Sequence, residues 1–466
     1  MFSPIISVYF DRKFYTYKRK MITSFINFIA DNDLFCKEDK ILITVSGGMD
    51  SRLMVELFYK TGFHFGIAHC NFQLRGKEAN RDEQFVKELA SRLNVPFNSI
   101  RFDTHEYAEK NKISIQMAAR ELRYQWFEKI REQKHYDYIA LAHNKDDLEE
   151  TFFINLTRGT GIRGLSGIKA KNNKLVRPLL FASRATIQIY LEEHRLNYVE
   201  DSSNAEIIYV RNRIRHKIIP EFEKLQPNFR KNLDKTIYHL RETYDLLQDV
   251  IQKKKQELVK EKDDKVYIDK TKLQELKYNK AYLFEFLKPF GFPSPILQDI
   301  LTSLNSTSGK QFFSDNYRLV TDRDYLIITK KRKTGPFHYI IDNQETHLEH
   351  PVQISIKKFG NNPDYKPPAT NYTASIDADK IKFPLILRKW QKGDRFIPFG
   401  MNHSKKLSDF FIDLKLSLPE KEDVWLLISE NEILWIIGYR TDDRYKISKL
   451  TKNILQLELL TRGLPA

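Results

Sequence analysis

The sequence predicts an α/β protein whose first domain, residues 1–225, is a parallel sheet with helices on both faces. Short β-branched segments alternate with amphipathic helical segments over this part of the chain, which is the pattern of a helix-covered parallel sheet. Pro220 and Pro227 then precede a long helical stretch, and a basic run at 330–336 separates it from further apolar segments. We therefore expect a mainly helical middle domain at 226–335 and a small α+β C-terminal domain at 336–466.

Four strands and two long helices are predicted within the first domain. The strands are Ile41–Val45, Phe65–Cys70, Phe97–Phe102 and Tyr138–Ala142, and the helices are Arg81–Leu93 and Gln116–Glu132. This order is Rossmann-like, and sheets of this kind bind ligands at the carboxyl ends of their strands. Polar clusters at 46–51, 69–71 and 143–147 directly follow three of these strands.

The loop Ser46–Ser51 reads S-G-G-M-D-S and lies between the first strand and a helix. Two glycines let the backbone approach an anion, and the helix N-terminus presents free amides to it. No Gly-Lys-Ser/Thr follows, so this is not a Walker loop. An ordinary βα turn can have the same composition. Asp50 could hold Mg²⁺, which prefers carboxylate oxygen and bridges phosphates, or could be an acid favoured by the helix dipole.

Charge and cysteine content limit the classes of protein. Lys and Arg number 77 against 61 Asp and Glu, and the net charge of +16 favours a polyanionic partner such as nucleic acid. Cys36 and Cys70 form no C-x-x-C pair, which argues against a disulfide scaffold or a zinc site. No apolar stretch approaches membrane-spanning length, and the N-terminal apolar run precedes its basic cluster, the reverse of a secretory signal. We expect a cytoplasmic protein with no membrane partner.

The second half of the chain begins with apolar residues spaced alternately four and three apart, from Leu233 to Ile251. This spacing predicts a long helix that ends near the charged run 253–265. Its short seam favours packing on neighbouring elements over a dimeric coiled coil, although a homodimer stays open. The further expected elements are helices at Leu273–Leu287 and Pro295–Leu304, a hairpin at 309–329 turning at 322–324, a linker or RNA-contacting patch at 330–336, and strands at Val352–Ile356, Leu385–Arg388, Val424–Ile428 and Ile433–Ile437.

Polar residues after the second and fourth strands could complete a nucleotide site. His69 could bind nucleotide or be a structural histidine. His143 and Asp147 lie four residues apart, so on a helix both would face one side, where they could hold a metal or accept a proton from an attacking amine. Helix capping by Asn144 or Asp146 is the alternative for this cluster.

A fourth cluster comprises Asp201–Asn204 and Arg211–His216. Its arginines could clamp a phosphate, where they would stabilise the charge that develops in phosphoryl transfer. They could equally lie on the solvent-facing side of a helix, and the residues alone do not decide between phosphate binding and this surface position.

The order of these clusters resembles the tRNA(Ile)-lysidine synthase family. The first loop also resembles the pyrophosphate loop (PP-loop) of the N-type ATP pyrophosphatases, which split ATP to AMP and pyrophosphate. The motifs that follow it are H-x-N-x-x-L-R, A-A-R-E-L-R-Y, A-H-N-x-D-D-x-x-E-T, R-G-T-G-I-R-G-L-S-G, D-S-S-N and R-N-R-I-R. The resemblance covers 40–220 and resumes at Arg388–Gly400 and Lys405–Leu418. Asn144 departs from it, since the family often has a second histidine there, and Met1–Lys20 has no counterpart.

This resemblance implies a reaction and its ligands. That family adenylates the wobble cytidine of an isoleucine tRNA with a CAU anticodon, using ATP. The ε-amine of lysine then attacks carbon 2 of the base and expels AMP, which leaves lysidine and changes the codon read from AUG to AUA. ATP and Mg²⁺ are the implied cofactors, and tRNA(Ile) and L-lysine are the implied partners, with the C-terminal domain binding tRNA.

Carried over to this sequence, the resemblance also implies site residues. Asp50 would hold Mg²⁺, His143 and Asp147 would lie near the reacting base and lysine, and Arg211 would contact phosphate. Because a lysine amine has a pKa of about 10.4, a carboxylate such as Asp147 has a proton to accept. The implied ATP-binding residues are Ser46, Gly47, Gly48, Met49, Asp50, Ser51, His69 and Arg120.

Three rivals share part of this pattern. Enzymes of tRNA thiolation have the same ATP loop but pass sulfur through cysteines or an iron–sulfur cluster, and neither Cys36 nor Cys70 sits in a suitable pair. Ammonia-using synthetases have little reason for a basic, RNA-sized apparatus. A non-catalytic RNA-binding protein would not need Asp50, His143 and Asp147 intact.

Overall fold

The computed structural model describes residues 20–199, 209–306, 308–331, 338–362 and 364–460. The chain forms two compact units, Met1–Leu247 and Gln248–Ala466. The leader up to residue 19, the D-S-S-N motif at 201–204 and most of the predicted linker lie outside the described residues. Within the described ranges, no helix combines the length and apolar character that a membrane span requires. The three-domain division stays a prediction.

The first unit contains one six-stranded sheet. Its strands are β1 Lys40–Thr44, β2 His64–Asn71, β3 Phe97–Arg101, β4 Tyr138–Ala140, β5 Lys171–Asn172 and β6 Leu175–Val176. They lie in the order β3-β2-β1-β4-β6-β5, and all neighbours are parallel except β5 and β6. The four predicted strands are confirmed to within one or two residues. This parallel order places the carboxyl ends of β1, β2 and β4 along one edge, so the polar segments that follow them meet there.

Helices cover this sheet. They are α1 at 20–31, α2 Met49–Thr61, α3 Lys77–Leu93, α4 Thr104–Asn111, α5 Ile115–Gln133, α6 Lys145–Thr157, α7 Ile162–Leu165, α8 Arg184–Glu193, α9 Tyr209–Arg213, α10 Ile219–Leu225 and α11 Phe229–Leu258, with a π-helical segment at Ile214–Ile218. The two helices predicted at 81–93 and 116–132 are confirmed as α3 and α5.

The alternating side chains of β1 supply a hydrophobic core on each face of the sheet. Ile41 and Ile43 belong to a core that includes Phe25 of α1 and Phe58 of α2. Leu42 points to the opposite face, into a second core with aromatic residues of α5. A strand that is buried on both faces has no polar side chain in its interior, which is why its sequence reads as a continuous apolar run. The predicted helices on both faces are therefore confirmed.

The long helix α11 has 30 residues and crosses the division between the two units. Four of its seam residues, Leu233, Ile237, Tyr244 and Ile251, are buried, whereas Leu247 is 42% exposed. Leu233 and Ile237 belong to the first unit's core. The helix therefore packs on its own chain, as the spacing of its seam predicts.

The second unit begins with helices and a five-stranded sheet. Its helices are α12 Lys270–Glu275, α13 Asn279–Leu287 and α14 Ile296–Ser303, with a 3₁₀ turn at Lys288–Phe290; its strands are β7 Val259–Lys262, β8 Lys265–Asp269, β9 Gln311–Phe313, β10 Tyr317–Thr321 and β11 Tyr325–Lys330. The predicted hairpin with its turn at 322–324 is confirmed as β10 and β11. The helix expected over Leu273–Leu287 is instead two helices, α12 and α13. The end of the charged run forms the hairpin β7–β8, which turns at Asp263 and Asp264, both with positive φ.

The C-terminal part of this unit is α+β, as predicted. Its strands are β12 His338–Ile341, β13 His347–Leu348, β14 Ile354–Gly360, β15 Thr373–Asp377, β16 Leu385–Lys389, β17 Arg395–Phe396, β18 Lys405–Lys406, β19 Trp425–Ser429, β20 Glu432–Ile436, β21 Arg440–Thr441 and β22 Asn453–Leu459. Its helices are α15 Leu407–Asp413 and α16 Leu418–Asp423, with 3₁₀ turns at Ala378–Lys380 and Asp443–Tyr445. The sheets run β12-β16-β19-β20-β21 and β13-β14-β22-β15, beside the pair β17-β18.

Candidate functional site

The loop Ser46–Ser51 joins β1 to the N-terminus of α2. Gly47 has φ +98°, a left-handed conformation that favours glycine. Gly48 is the N-cap residue in extended conformation, and no side chain caps it within the part of the chain that the structure describes. The Ser51 hydroxyl donates to the Gly48 carbonyl at 2.9 Å and lies 3.3 Å from the Ser46 hydroxyl. The first-turn amides of α2 therefore remain free for an anion.

Asp50 connects this loop to helix α6. Its Oδ1 accepts a hydrogen bond of 3.0 Å from the Nδ2 of Asn144. The pKa of Asp50 is raised from 3.8 to about 6, mainly by burial and also by the nearby Asp147 carboxylate, while the bond from Asn144 opposes the shift. The Asp50 carboxylate and the side-chain amide of Asn144 thus meet beside the anion-binding loop, although they are 94 residues apart in the chain, and the Asp147 carboxylate is close enough to affect the pKa of Asp50.

Asn144 and Asp147 form a capping box at the start of α6. The backbone amide of Asp147 donates to the side-chain oxygen of Asn144 at 3.0 Å, and the backbone amide of Asn144 donates to Asp147 Oδ2 at 3.0 Å. Of the two predicted alternatives for a cap, Asn144 is the one that the structure selects. Asp146 has a different role, because its Oδ2 accepts a hydrogen bond of 2.7 Å from the Arg184 amide. These bonds hold the first turn of α6 in place against the loop.

His143 lies just before this helix among arginines. Its pKa is lowered from 6.5 to about 4, mainly by burial and also by the charges of Arg177, Arg211 and Arg120, while Asp147 acts in the opposite direction. The guanidinium of Arg177 donates from Nε to His143 Nδ1 at 3.2 Å. At neutral pH the imidazole is therefore uncharged.

A cavity of about 580 Å³ lies at this edge of the sheet. Among the predicted site residues, those that line it are Ser46, Gly48, Met49, Asp50, Ser51 and His143. Gly47, His69, Arg120, Asp147 and Arg211 are not among its lining residues. The structure thus brings the loop and His143 together around one space of nucleotide size.

The predicted residues outside this lining have identifiable surroundings. His69 is buried, and its Nδ1 donates to the Val45 carbonyl at 2.8 Å, so it ties the end of β1 to β2. Arg120 is exposed and lies over the Tyr124 ring at 5.0 Å. Arg211 is half-buried, and its charge reaches His143.

Some residues that contact this region are not predicted from the sequence. Arg123, Tyr124 and Arg184 line the cavity, and Arg177 binds His143. Arg123 and Tyr124 do lie in the A-A-R-E-L-R-Y motif, which could have pointed to them. Arg177 and Arg184 carry no local signal, because only the fold brings them to this edge.

Two buried carboxylates of α6 are held by arginines from later in the chain. Glu150 Oε1 accepts a bond of 2.6 Å from Arg215 Nε, and Arg215 belongs to the π-helical segment. Glu149 pairs with Arg230, which also donates to Glu223 at 2.7 Å. Burial raises the pKa of Glu149 to about 7, although Arg230 opposes the shift. These pairs connect the helix carrying Asp147 to the elements that follow.

No group of three or more His, Cys, Asp or Glu side chains able to hold a metal occurs in the described ranges. The carboxylate beside the loop is that of Asp50, and Asp147 is close enough to affect its pKa. Such a site suits a metal that takes most of its ligands from phosphate and water.

Comparison with known proteins gives three matching families along the chain. A PP-loop domain model matches residues 17–222, a TilS substrate binding domain model matches 261–331, and a TilS substrate C-terminal domain model matches 385–458. The first of these covers the sheet, the loop and the cavity described above.

Whole-chain relatives agree with these domains. A tRNA(Ile)-lysidine synthase of Parabacteroides distasonis is 40% identical over 94% of this chain and 100% of its own length. Proteins of the same name from Bacteroides thetaiotaomicron and Porphyromonas gingivalis are 39% and 35% identical, over 92% and 91% of this chain and 97% and 95% of their own lengths. The chain therefore belongs to the tRNA(Ile)-lysidine synthase family.

Proposed function

We propose that this protein ligates L-lysine to carbon 2 of the wobble cytidine in a tRNA(Ile) with a CAU anticodon, with cleavage of ATP to AMP and pyrophosphate. The observation that carries the proposal is the bond of 3.0 Å between Asn144 and Asp50, which joins the phosphate loop to the cluster of His143 and Asp147. Relatives that bear the corresponding name match over nearly the whole chain.

The first step needs the ATP phosphates and the cytidine to meet in the cavity. The free amides at the start of α2 and the hydroxyls of Ser46 and Ser51 would bind phosphate oxygens. Arg184 lines the same cavity and Arg211 lies close to His143, so both could balance phosphate charge. The base oxygen attacks the α-phosphorus, pyrophosphate leaves, and the cytidine is adenylated.

Mg²⁺ fits the residues that are present. Asp50 is a buried carboxylate whose pKa is raised to about 6, and Asp147 adds like charge nearby. A divalent cation would relieve both effects, and Mg²⁺ is commonly held by one or two carboxylates together with substrate phosphates. When bound, it supplies charge neutralisation on the phosphate oxygens. Asp50 would hold it.

The second step needs a group that takes a proton from the lysine amine. Asp147 Oδ2 accepts a hydrogen bond from the backbone amide of Asn144, whereas no described residue donates to Asp147 Oδ1. That oxygen is available to a substrate ammonium. The amine then attacks carbon 2 of the base, and AMP departs with the electron pair of the broken carbon–oxygen bond.

The cysteines argue for ligation over thiolation. Cys70 lines the cavity, but burial raises its pKa to about 12, so the thiol stays protonated and is a poor nucleophile. Cys36 is exposed, and its thiol donates to Asp39 at 3.1 Å. Neither side chain therefore suits a sulfur carrier.

The test is a transfer assay with ATP, Mg²⁺, radiolabelled lysine and tRNA(Ile) bearing the CAU anticodon. We expect label on this tRNA and none on tRNA(Met), whose anticodon is the same. Absence of transfer, or equal transfer to both, would contradict the proposal. Incorporation of sulfur from a thiol donor in place of lysine would support the thiolation alternative. A cytoplasmic location and a homodimer remain predictions.

A second experiment separates the loop's chemistry from its structural role. Asp50→Ala should abolish pyrophosphate release while tRNA retention on a filter stays near the wild-type level. Asp31→Ala, which changes an exposed aspartate on α1, is the matched control. Simultaneous loss of both activities in Asp50→Ala would mean that the loop is structural.

A further inference from the structure

Arg177 is a buried arginine whose partners are neutral. Arg177 is 9% exposed and directly follows β6. Its Nε donates to His143 Nδ1 at 3.2 Å and its Nη1 to the Lys169 carbonyl at 2.9 Å. Over the described ranges, no carboxylate pairs with this guanidinium, and burial lowers its pKa. A buried cation without an acid costs stability, so a site that retains one has a use for its charge or its donors.

The bond from Arg177 determines where His143 carries its proton. A guanidinium has donors and no acceptor, so His143 Nδ1 must present a lone pair. The imidazole is neutral because burial and three arginines lower its pKa to about 4. A neutral ring with a lone pair at Nδ1 carries its proton at Nε2, and this assignment follows from the hydrogen bond. His143 also lines the cavity.

We propose that Arg177 is a positioning residue that fixes His143 as a hydrogen-bond donor, through Nε2–H, to an oxygen of the bound substrate. With Nδ1 occupied by Arg177 and Nε2 already protonated, His143 has no free basic nitrogen. The positive charge behind the ring strengthens its Nε2–H as a donor. An oxygen that gains negative charge during the reaction is the acceptor that such a donor suits.

This inference rests on the proposed function and assigns its two protonation roles to different residues. Proton acceptance from the lysine amine falls to Asp147, whereas His143 stabilises charge on oxygen. That oxygen belongs either to a phosphoryl group of the nucleotide or to the cytosine ring, since both are present in the two steps. Arg177 does not contact the reacting atoms in this arrangement and acts through the imidazole.

The protonated nitrogen can be read directly from ¹⁵N-histidine NMR of the full-length protein without ligands. Two-bond proton–nitrogen correlations distinguish the Nε2–H form from the Nδ1–H form, and the His143→Gln variant assigns the signals. We expect His143 to be neutral with its proton on Nε2. Arg177→Met should shift these signals toward a mixture of forms, and Arg177→Lys should shift them less. Arg184→Met, which changes an arginine that lines the cavity, should leave them in place.

The same variants are then assayed for pyrophosphate release and for lysine transfer. Arg177→Met should slow the affected step roughly 10- to 100-fold, as removal of a residue that orients a functional histidine does, and Arg177→Lys should recover part of the rate. Slowed pyrophosphate release identifies a phosphoryl oxygen as the acceptor, and slowing confined to lysine transfer identifies the base oxygen. The proposal is overturned if wild-type His143 carries its proton on Nδ1, if Arg177→Met leaves the ring signals unchanged, or if neither step slows. Failure of the proposed function would appear separately, as a wild-type protein without lysine transfer but with the Nε2–H signal.

Discussion

Replacing Asp50 by asparagine should stabilise the ligand-free protein while abolishing pyrophosphate release. The pKa of Asp50 is raised from 3.8 to about 6, so the folded protein holds this proton more tightly than the unfolded chain does. Ionisation of Asp50 therefore weakens the fold. This penalty is absent below the unfolded pKa, grows as the pH rises toward 6, and is complete above it.

The size of the effect follows from the pKa shift. Two pKa units correspond to about 3 kcal/mol of unfolding free energy at pH 7. Asparagine also loses the favourable interaction of a carboxylate with the N-terminus of α2, which is about 0.3–1 kcal/mol. The net gain for Asp50→Asn should be about 2 kcal/mol. For a unit of this size, that is a rise of about 4–8 °C in melting temperature.

The assay is thermal unfolding of wild type and Asp50→Asn without nucleotide or metal, between pH 4 and pH 7.5, with Asp31→Asn as the exposed control. The difference between the two proteins should be near zero at pH 4 and should reach its full value above pH 6. Asp31→Asn should show no such dependence. A difference that is constant across this range, or that grows toward low pH, would refute the reasoning from burial.

Three further predictions concern the surroundings of this carboxylate. Asn144→Ser should keep the cap of α6 and lose the bond to Asp50, so that, as the pH is lowered, pyrophosphate release should be lost at a higher pH than in wild type. Asn144→Ala should lose the cap as well and lower the unfolding free energy by about 1 kcal/mol. Equal melting curves for the two variants would contradict the capping role. Arg230→Met leaves the buried Glu149 carboxylate without its cation and should lower the unfolding free energy by about 3 kcal/mol, measured by chemical denaturation at pH 8. The double variant with Glu149→Gln should recover most of this, and a double variant as unstable as the single one would count against the ion pair. Retention of tRNA should weaken steeply between 50 and 200 mM salt, as roughly expected for a binder with several phosphate contacts, and a flat response would remove the argument from net charge.

The sequence predicts the first four strands well because their signal is local. Ile41 and Leu42 sit in a run that is buried on both faces, and such a run is apolar throughout. The hairpin β7–β8 has no comparable signal, because it is short and charged at most positions of β7. Helical propensity of the neighbouring lysines and glutamates obscures it.

In the candidate site too, local features could be predicted from the sequence and long-range contacts could not. Ser46–Ser51 could be recognised because all of its parts lie in one turn. Arg177 could not, since it is 34 residues from His143 and reaches it only because β6 pairs with β4. The bond between Glu150 and Arg215 joins residues 65 apart, and it forms because α6 packs against the π-helical segment at Ile214–Ile218. Long-range contacts of these two kinds depend on strand order and on helix packing, which local sequence patterns do not specify.

The protonated thiol of Cys70 has a consequence for redox behaviour. Cys70 lines the cavity, and with a pKa of about 12 only about one thiol in 10⁵ would be ionised at pH 7. Peroxides and electrophiles react with the thiolate, so oxidation at this position should be slow. The Cys70 side chain should therefore stay unmodified in the cavity beside the loop under mildly oxidising conditions.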